Sequence, residues 1–325
     1  MIDLSDIEAA CERLRGHAVL TPLLELPALN EMAGGRVLLK AEPLQRTGSF
    51  KFRGAYNRIS KMSSEERACG VVAFSAGNHA QGVAAAAKAF GMSATIVMPT
   101  DAPVIKLRNT RRLGARVVTY DRLRDDREAI ADAVRAESGA ILIPPYDDED
   151  VMAGQGTAGI EIAEQCAALG VVPDLLICPA GGGGLLAGIA TAMASLSPAT
   201  ALYAAEPEGF DDLRRSLLAG ERVVNAKGGS SICDAILTLT PGALTFPILK
   251  AHLAGGLTVS DAQVITAVNA LFDEAKLVVE PGAAVGLAAL LSGELPLKGR
   301  SAVVVLSGGN MDRSVFAKLI ASAEV

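Results

Sequence analysis

Hydrophobic positions along the chain alternate between short apolar runs and longer stretches in which apolar residues recur at helical spacing. The short runs predict strands at residues 37–40, 71–74, 95–98, 117–120, 141–143, 175–178, 202–205, 278–279 and 303–306. Several of these runs are uninterrupted, which is typical of parallel strands covered on both faces. Helices are predicted in the intervals, for instance over residues 78–90, 125–137, 150–169 and 260–276. The alternation predicts an α/β fold with doubly wound parallel sheets.

Two capping boxes mark predicted helix starts. Ser5 and Glu8 have the Ser-x-x-Glu spacing in which each side chain can bond the other residue's backbone amide. Ser260 and Gln263 show the same pattern at the start of the last predicted helix. The proline-containing segment 144–148 is the best candidate for a crossing between two domains.

Length and composition narrow the class of protein. The chain has 325 residues, which favours two domains over one. Half of the residues are hydrophobic but only 4% are aromatic, so the interior must consist mainly of Ala, Val, Leu and Ile. The formal net charge is −6 and there is no basic block, which argues against a nucleic-acid partner and favours a small-molecule substrate.

The cysteines and the apolar runs bear on the compartment. The five cysteines are Cys11, Cys69, Cys166, Cys178 and Cys233, and their spacing fits neither a disulfide framework nor a zinc ribbon. The sequence shows neither a signal-peptide pattern nor an apolar run long enough for a membrane span. We expect a cytoplasmic protein with no membrane partner.

In doubly wound sheets, functional groups collect beyond the carboxyl ends of the strands, and four turns at such places carry unusual residues. The first contains Lys51 between Phe50 and Phe52. Partial burial would lower the pKa of its amine and make it a nucleophile toward a carbonyl. The alternative is a surface lysine whose aliphatic part covers apolar neighbours.

The second turn follows the strand predicted at residues 71–74 and contains Ser75, Asn78 and His79. Ser and Asn suit a helix N-terminus, where free amides attract an anion such as a carboxylate. In the alternative interpretation, Ser75 and Asn78 only cap the helix and His79 lies on its exposed first turn.

The third turn consists of four consecutive glycines, Gly181, Gly182, Gly183 and Gly184, before a predicted helix. Their backbone amides could surround a phosphate at the helix N-terminus. A competing interpretation is a nicotinamide-dinucleotide fingerprint, because Gly182, Gly184 and Ala187 fit its spacing and Glu206 follows about 20 residues later. That interpretation leaves the first two turns without a role.

The fourth turn, after the strand predicted at residues 303–306, contains Ser307 and Asn310. Ser307 could offer a neutral hydroxyl to a ring nitrogen, or both residues could simply cap the next helix. Taken together, the four turns suit one ligand, pyridoxal phosphate. It combines a phosphate, an aldehyde for a lysine and a heteroaromatic nitrogen, and it would hold an amino-acid carboxylate nearby.

At these motifs the chain resembles the fold-type II (tryptophan-synthase-β-like) pyridoxal-phosphate enzymes, specifically the serine/threonine dehydratases and serine racemase. The resemblance runs from about Leu14 to Asp312, and its motifs occur in family order at family spacing. They are residues 49–55 (SFKFRGA), 75–79 (SAGNH), 153–157 (AGQGT), 181–184 (GGGG) and 307–310 (SGGN).

The resemblance implies roles for individual residues. Lys51 corresponds to the Schiff-base lysine, with Phe50 against the cofactor ring. Asn78 corresponds to the group that bonds the phenolic oxygen, and Ser307 to the residue facing the pyridine nitrogen. The four glycines correspond to the phosphate loop.

The resemblance also implies substrate and metal residues. Ser75, Asn78 and His79 match positions around the substrate carboxylate, and Arg127 matches an arginine that reaches the distal end of the substrate. A divalent-cation site, for Mg²⁺ or Ca²⁺ with Mn²⁺ as a further option, is implied at a second set of residues. It consists of Glu206, the backbone oxygen of Phe210, and Asp212.

The family architecture is a large cofactor-binding domain, here residues 1–66 and 148–325, with a small domain inserted at residues 67–147 and the cofactor between them. Both are doubly wound α/β domains. The chain resembles the short members without a C-terminal regulatory domain, and the resemblance implies a homodimer.

These observations predict an ammonia-lyase that deaminates L-threonine and L-serine to 2-oxobutanoate or pyruvate and ammonium. Lys51 would remove the α-proton, and the β-hydroxyl would leave. The open alternatives are a dehydratase for 3-hydroxyaspartate or another β-hydroxy amino acid, a serine racemase, and the nicotinamide-dependent dehydrogenase. A catalytically silent amino-acid-binding protein is disfavoured by the intact Lys51 and glycine loop.

Ala76 bears on the racemase alternative. In the racemases the matching position is a serine that acts as acid/base on the cofactor face opposite the lysine. Because a methyl group cannot transfer a proton, we expect racemisation to be slower than elimination by at least about 10²-fold. Ala76→Ser should raise the ratio of racemisation to elimination, as measured by chiral chromatography of the serine left after partial turnover.

Overall fold

The computed structural model describes residues 1–75, 77–121, 124–226 and 228–321, and it describes no side chain for residues 127 and 128. The described strands are β1 (Leu23–Glu25), β2 (Arg36–Ala41), β3 (Val71–Phe74), β4 (Ala94–Pro99), β5 (Arg116–Tyr120), β6 (Ile141–Leu142), β7 (Leu175–Pro179), β8 (Ala201–Pro207), β9 (Leu253–Val259) and β10 (Ser301–Leu306). The described α-helices are α1 (Leu4–Leu14), α2 (Pro27–Ala33), α3 (Lys51–Ser60), α4 (Ser64–Cys69), α5 (Asn78–Ala89), α6 (Val104–Arg112), α7 (Arg127–Ser138), α8 (Glu149–Ala168), α9 (Gly184–Leu196), α10 (Asp212–Ala219), α11 (Thr245–His252), α12 (Asp261–Ala275), α13 (Pro281–Leu291) and α14 (Arg313–Ala321).

The strands form two sheets. The larger sheet has six strands in the order β1-β2-β10-β7-β8-β9, and the smaller has four in the order β5-β4-β3-β6. β1 pairs antiparallel with β2, and the other strand pairs are parallel. All strands of the smaller sheet lie within the segment proposed as the small domain, whose limits stay a prediction.

Both faces of the larger sheet are covered, which confirms the doubly wound α/β prediction. Along β10, Val303 and Val305 pack into a core shared with α8 and α9, whereas Val304 and Leu306 pack into a second core shared with α12 and α13. Successive side chains of a strand point to opposite faces, so each apolar position of this strand, from Ala302 to Leu306, is buried in one core or the other.

Most predicted elements are present with small shifts at their ends, but one predicted strand is absent and two strands were not predicted. Residues 278–279 form no strand; they are an irregular connection to α13. β1 and β9 were not predicted, because β1 has only three residues and β9 contains Gly255 and Gly256, which weaken a strand pattern. Pairing with β8 supports β9 despite its glycines.

One of the two capping boxes is placed differently. α1 begins at Leu4, and its reciprocal cap is formed by Asp3 and Asp6 rather than by Ser5 and Glu8. The Ser5 hydroxyl donates to the Asp3 carboxylate at 2.7 Å, so the stronger acceptor takes the capping position. The box of Ser260 and Gln263 at α12 is confirmed.

Helix α3 lies between α5 and α8 and connects the two sheets. Its residues Phe52, Tyr56 and Ile59 are buried in the core that also contains Val71 of β3 and Ile96 of β4. In the described part of the chain, no helix is long and apolar enough to span a bilayer.

Candidate active site

The four turns predicted to carry the chemistry lie beyond the carboxyl ends of parallel strands, and backbone hydrogen bonds join the first and the fourth. The amide of Phe50 donates to the carbonyl of Ser307 at 3.1 Å, and the amide of Gly309 donates to the carbonyl of Gly48 at 2.9 Å. The segment that carries Lys51 is therefore fixed directly to the end of β10.

Lys51 occupies the first position of α3 and is half-buried. Its Nζ donates a hydrogen bond to the carbonyl oxygen of Pro145 at 2.6 Å and lies 5.0 Å from the centre of the Phe50 ring. Burial lowers the pKa of the Lys51 amine to about 8. At pH 7 about a tenth of this amine is thus unprotonated, against less than about a thousandth for an exposed surface lysine.

A close helix contact fixes the backbone of Lys51. A Cβ atom added at Gly82 of α5 would lie 2.9 Å from the carbonyl carbon of Lys51 and 3.2 Å from its Cβ. Real side chains do not approach backbone so closely, so only glycine lets α5 pack against the start of α3.

The motif at residues 153–157 forms the next helix contact. A Cβ at Gly154 would lie 2.7 Å from the carbonyl oxygen of Arg53, and one at Gly156 would lie 2.9 Å from the carbonyl oxygen of Gly188 in α9. Gln155 accepts a hydrogen bond from the amide of Gly54 at 3.0 Å. This family motif therefore packs the lysine helix, α8 and the helix after the glycine loop together.

In the second turn, the side chains do not cap α5. The N-cap is Gly77, without a side-chain cap, and the Ser75 hydroxyl accepts from the amide of Gly77 at 3.1 Å. The side chain of Asn78 donates through Nδ2 to Glu280 Oε1 and accepts through Oδ1 from Asn310 Nδ2 at 2.9 Å. The capping alternative for this turn is wrong.

His79 is buried, with 2% of its surface exposed, so its placement on an exposed first turn is also wrong. Its Nε2 is 2.8 Å from the carbonyl oxygen of Ile143, which requires the tautomer with the proton on Nε2. Burial, together with the nearby charge of Lys51, lowers the pKa of His79 to about 3. The imidazole is neutral, and its Nδ1 is a buried acceptor without a partner among the described residues.

The glycine turn has the features of an anion cradle. In the described part of the chain, no acceptor is found for the amides of Gly181, Gly182, Gly183 and Gly184. Gly183 has φ +93°, a conformation that glycine adopts readily, and α9 begins at the next residue. The ring of Tyr146 lies against Gly182, so a side chain there would collide with it.

Ser307 directly follows β10 and is 7% exposed. Close to this turn, the Ser49 hydroxyl is fully buried and, among the described residues, lacks a hydrogen-bond partner. A Cβ added at Gly308 would lie 3.0 Å from the Cβ of Ser49. A polar ligand could bond to the unpartnered polar atoms where the turns meet, and the glycines there leave room for it.

Two functional candidates escaped the sequence analysis. Glu280 precedes Pro281 and has the appearance of an ordinary helix start, and Lys106 lies in the polar helix α6. The structure brings their charged groups to 3.3 Å, with Lys106 also 3.0 Å from Asp234. Only the burial of Glu280 and Lys106, at 1% exposure each, marks them as unusual, and no local pattern signals it.

Two predicted positions fall outside the description. Ala76 lies outside the described residues, and Arg127 begins α7 with a side chain that is not described. The expectations for both stay predictions.

The predicted metal residues lie at the end of β8, which contains Glu206, and in the turn from β8 to the start of α10, which contains Phe210 and Asp212. The two carboxylate oxygens of Glu206 accept from the amides of Leu213 at 3.0 Å and Arg214 at 2.8 Å. Asp212 accepts from Asn225 at 2.6 Å, and its other oxygen is buried without a partner among the described residues. Burial and the neighbouring Asp212 raise the pKa of Glu206, and burial raises that of Asp212 to about 6.

Comparison with known proteins identifies the class. The family model for "Pyridoxal-phosphate dependent enzyme" matches residues 14–308. The chain belongs to this family of fold-type II enzymes, and its cofactor is pyridoxal phosphate. The family resemblance and the fold class predicted from the sequence are thereby confirmed, and the nicotinamide interpretation of the glycine turn is superseded.

Individual relatives divide among related activities. The chain is 44% identical to an L-threo-3-hydroxyaspartate ammonia-lyase of Pseudomonas sp, over 97% of both chains. It is also 44% identical to a threonine deaminase of T.th., whose crystal structure matches with a TM-score of 0.90 and coverage of 96% of this chain and 99% of the other. A serine racemase structure from Dictyostelium discoideum is 38% identical, with a TM-score of 0.88 and coverage of 96% and 99%. These relatives support a lyase and leave the substrate open.

Proposed function

We propose that the protein is an ammonia-lyase that deaminates L-threonine and L-serine by β-elimination of the hydroxyl. The observation that carries the proposal is the Lys51 amine, half-buried with its pKa lowered to about 8, in the same site as the unpartnered glycine amides. The similarity to a threonine deaminase over nearly the whole chain supports the substrate class.

Pyridoxal phosphate, when bound, supplies an electron sink that makes the α-proton of an amino acid removable. The residues of the turns fit this cofactor. The amides of Gly181, Gly182, Gly183 and Gly184 would hold its phosphate at the N-terminus of α9. Lys51 would bind its aldehyde, and Phe50, Asn78 and Ser307 would contact its ring and ring substituents.

Lys51 is the proposed base at the α-carbon. Because burial raises the unprotonated fraction of its amine far above that of an exposed lysine, it can accept a proton near neutral pH without a separate activating group. The carbonyl of Pro145 accepts one hydrogen of this amine and restricts its direction. A positioned base of this kind typically contributes 10²- to 10⁴-fold to a rate.

For the substrate we propose contacts from Ser75, Asn78, His79 and Arg127. The neutral imidazole of His79 has its one N–H at Nε2, which donates to the carbonyl oxygen of Ile143. The unpartnered Nδ1 can therefore only accept, so Ser75, Asn78 and the nearby backbone amides are the proposed carboxylate ligands. Arg127 would interact with the end of the substrate beyond the β-carbon.

We propose a Mg²⁺ or Ca²⁺ site, also open to Mn²⁺, formed by Glu206, the carbonyl oxygen of Phe210, and Asp212. The raised pKa values of both carboxyl groups and the unpartnered oxygen of Asp212 support it, because a hard cation would relieve the cost of burying these charges. Among the described residues, His, Cys, Asp and Glu side chains alone form no cluster of three suited to a metal. The carbonyl and water are needed to complete the shell.

A second candidate substrate is 3-hydroxyaspartate. Relatives 44% and 42% identical carry the name L-threo-3-hydroxyaspartate ammonia-lyase. The guanidinium of Arg127 would pair with the second carboxylate of such a substrate. Serine racemases at 38% identity keep racemisation open as a side activity.

The protein is further proposed to be a cytoplasmic homodimer without nucleic-acid or membrane partners. The test of function is the visible spectrum of the purified protein, followed by a panel of threonine, serine and threo-3-hydroxyaspartate scored for oxo acid and for D-isomer. We expect an absorbing cofactor and oxo acid from threonine and serine. Turnover of hydroxyaspartate alone would assign the second candidate, and the absence of oxo acid with all three would overturn the proposal.

A further inference from the structure

The side chain of Asn78 is held at both ends of its amide. Its Nδ2 donates to Glu280 Oε1, and its Oδ1 accepts from Asn310 Nδ2 at 2.9 Å. Asn78 is 8% exposed and Glu280 is 1% exposed, so water cannot readily replace Glu280 as the partner of Asn78. One of the two Nδ2 hydrogens remains available for a ligand.

The partner on the oxygen side cannot exchange donor for acceptor. The Nδ2 of Asn310 donates to the backbone carbonyl of Thr47 at 2.7 Å as well as to Asn78. Turning the Asn310 amide around would place its oxygen against two acceptors. The amide of Asn310 therefore fixes which end of Asn78 is the acceptor.

The partner on the nitrogen side is a carboxylate whose two oxygens have separate tasks. Oε1 of Glu280 accepts from Asn78, whereas Oε2 lies 3.3 Å from Nζ of Lys106. Lys106 is 1% exposed and also pairs with Asp234 at 3.0 Å. This cation compensates the charge of Glu280. Burial raises the pKa of the Glu280 carboxyl, and Lys106 limits that rise.

The glycine after Ser307 makes this arrangement possible. A Cβ atom added at Gly308 would collide with Glu280 Oε1 and lie 3.2 Å from Asn78 Nδ2. The close approach of the carboxylate to the amide thus depends on a residue of the fourth turn.

We infer that Glu280 is a positioning residue that, together with Asn310, holds Asn78 as a hydrogen-bond donor toward the phenolic oxygen of bound pyridoxal phosphate. The inference rests on the proposed contact of Asn78 with that oxygen. Asn78 must present its Nδ2 donor to the phenolic oxygen, because that oxygen carries negative charge and an amide oxygen in the same place would repel it.

Glutamine at position 280 cannot replace glutamate. It keeps the shape but has one acceptor oxygen, for which the donors on Asn78 and Lys106 would compete. When Lys106 takes that oxygen, the amide nitrogen of the glutamine faces the amide nitrogen Nδ2 of Asn78. Both groups are donors, so the Asn78 amide loses its fixed orientation. We therefore expect Glu280→Gln to lower the affinity for the cofactor more than it lowers the stability of the fold.

The test is the affinity of the cofactor-free chain for pyridoxal phosphate, measured by titration of the visible band, in a double-mutant cycle. Glu280→Gln should weaken binding by about 10- to 100-fold, the range for losing a hydrogen bond to a charged group. In an Asn78→Ala background, the same substitution should have no further effect. The control Asp234→Asn removes the other partner of Lys106, leaves Asn78 untouched, and should bind like the wild type.

Asn310→Ala provides a second route if Glu280→Gln does not fold. It removes the donor to Asn78 Oδ1 and should also weaken binding only when Asn78 is present. Equal losses with and without Asn78 would overturn the inference while leaving the proposed function intact. A wild-type chain that does not bind pyridoxal phosphate would instead contradict the proposed function, and the inference with it.

Discussion

Lys51 Nζ donates to the carbonyl oxygen of Pro145 at 2.6 Å, and Pro145 lies on the segment that links β6 to α8. Two residues earlier on this segment, the carbonyl of Ile143 accepts from His79. Ile143 still bonds to Val72 in the manner of a strand, so alternate carbonyls of the extended segment point to the same side. The segment from Ile143 to Pro145 therefore accepts hydrogen bonds from Lys51 of the first turn and from His79 of the second.

The lowered pKa of Lys51 predicts a pH-dependent stability. Its pKa is 10.5 in an exposed setting and about 8 in the folded chain. Between these values the unfolded chain holds a proton that the folded chain has lost, so stability rises with pH. In cofactor-free protein, Lys51→Met should therefore raise the free energy of unfolding at about pH 7 by up to about 3 kcal/mol, and by less near pH 10.

Urea unfolding at both pH values measures this difference. The exposed Lys88 of α5 is the control, because Lys88→Met should change stability little at either pH. A gain for Lys51→Met that is the same at both pH values would show that its amine is not destabilised by burial.

A buried ion network anchors the face of α3 opposite the site. Arg53, 1% exposed, lies 2.8 Å from Glu42 and 2.6 Å from Glu161. Arg53→Met would leave buried carboxylates without their cation and should cost about 3–5 kcal/mol. Arg58→Met, at a more exposed pair with Asp148, should cost about 0–1 kcal/mol. Similar losses for the two variants in denaturant unfolding would contradict the role of this network.

The contact of Gly82 with Lys51 predicts a selective effect on the site. Gly82→Ala should force α5 away from the Lys51 backbone, cost about 1–3 kcal/mol, and lower the affinity for pyridoxal phosphate. Gly255→Ala is the control, since its Cβ would meet the Tyr203 ring at an ordinary 3.5 Å. Unchanged cofactor affinity in Gly82→Ala would mean that the helix contact does not position the lysine.

The proposed metal site predicts stabilisation that depends on pH. Protons compete with a cation for carboxylates whose pKa is raised, to about 6 for Asp212. Mg²⁺ should raise the melting temperature more at about pH 8 than at about pH 5, and a chelator should reverse the gain. Asp212→Asn should abolish the response, whereas the exposed Glu208→Gln should keep it. Equal responses in the two variants would place the ion elsewhere.

The sequence predicted the alternating elements and the four turns because each depends on local patterns. It did not predict β9, where pairing with β8 overrides two glycines. It also predicted a strand at residues 278–279, where the chain is irregular. It also missed the burial of His79 and the approach of Lys106 to Glu280. These features depend on residues far apart in the chain, and a single sequence carries no local signal for such contacts.

The most direct test of the account is whether borohydride fixes pyridoxal phosphate to Lys51 in the purified protein. The account predicts a reduced adduct on the peptide containing Lys51, and loss of both the adduct and oxo-acid production from threonine in Lys51→Ala. Lys61→Ala, at an exposed lysine of the same region, should retain both. An adduct on another lysine, or normal turnover by Lys51→Ala, would contradict the account.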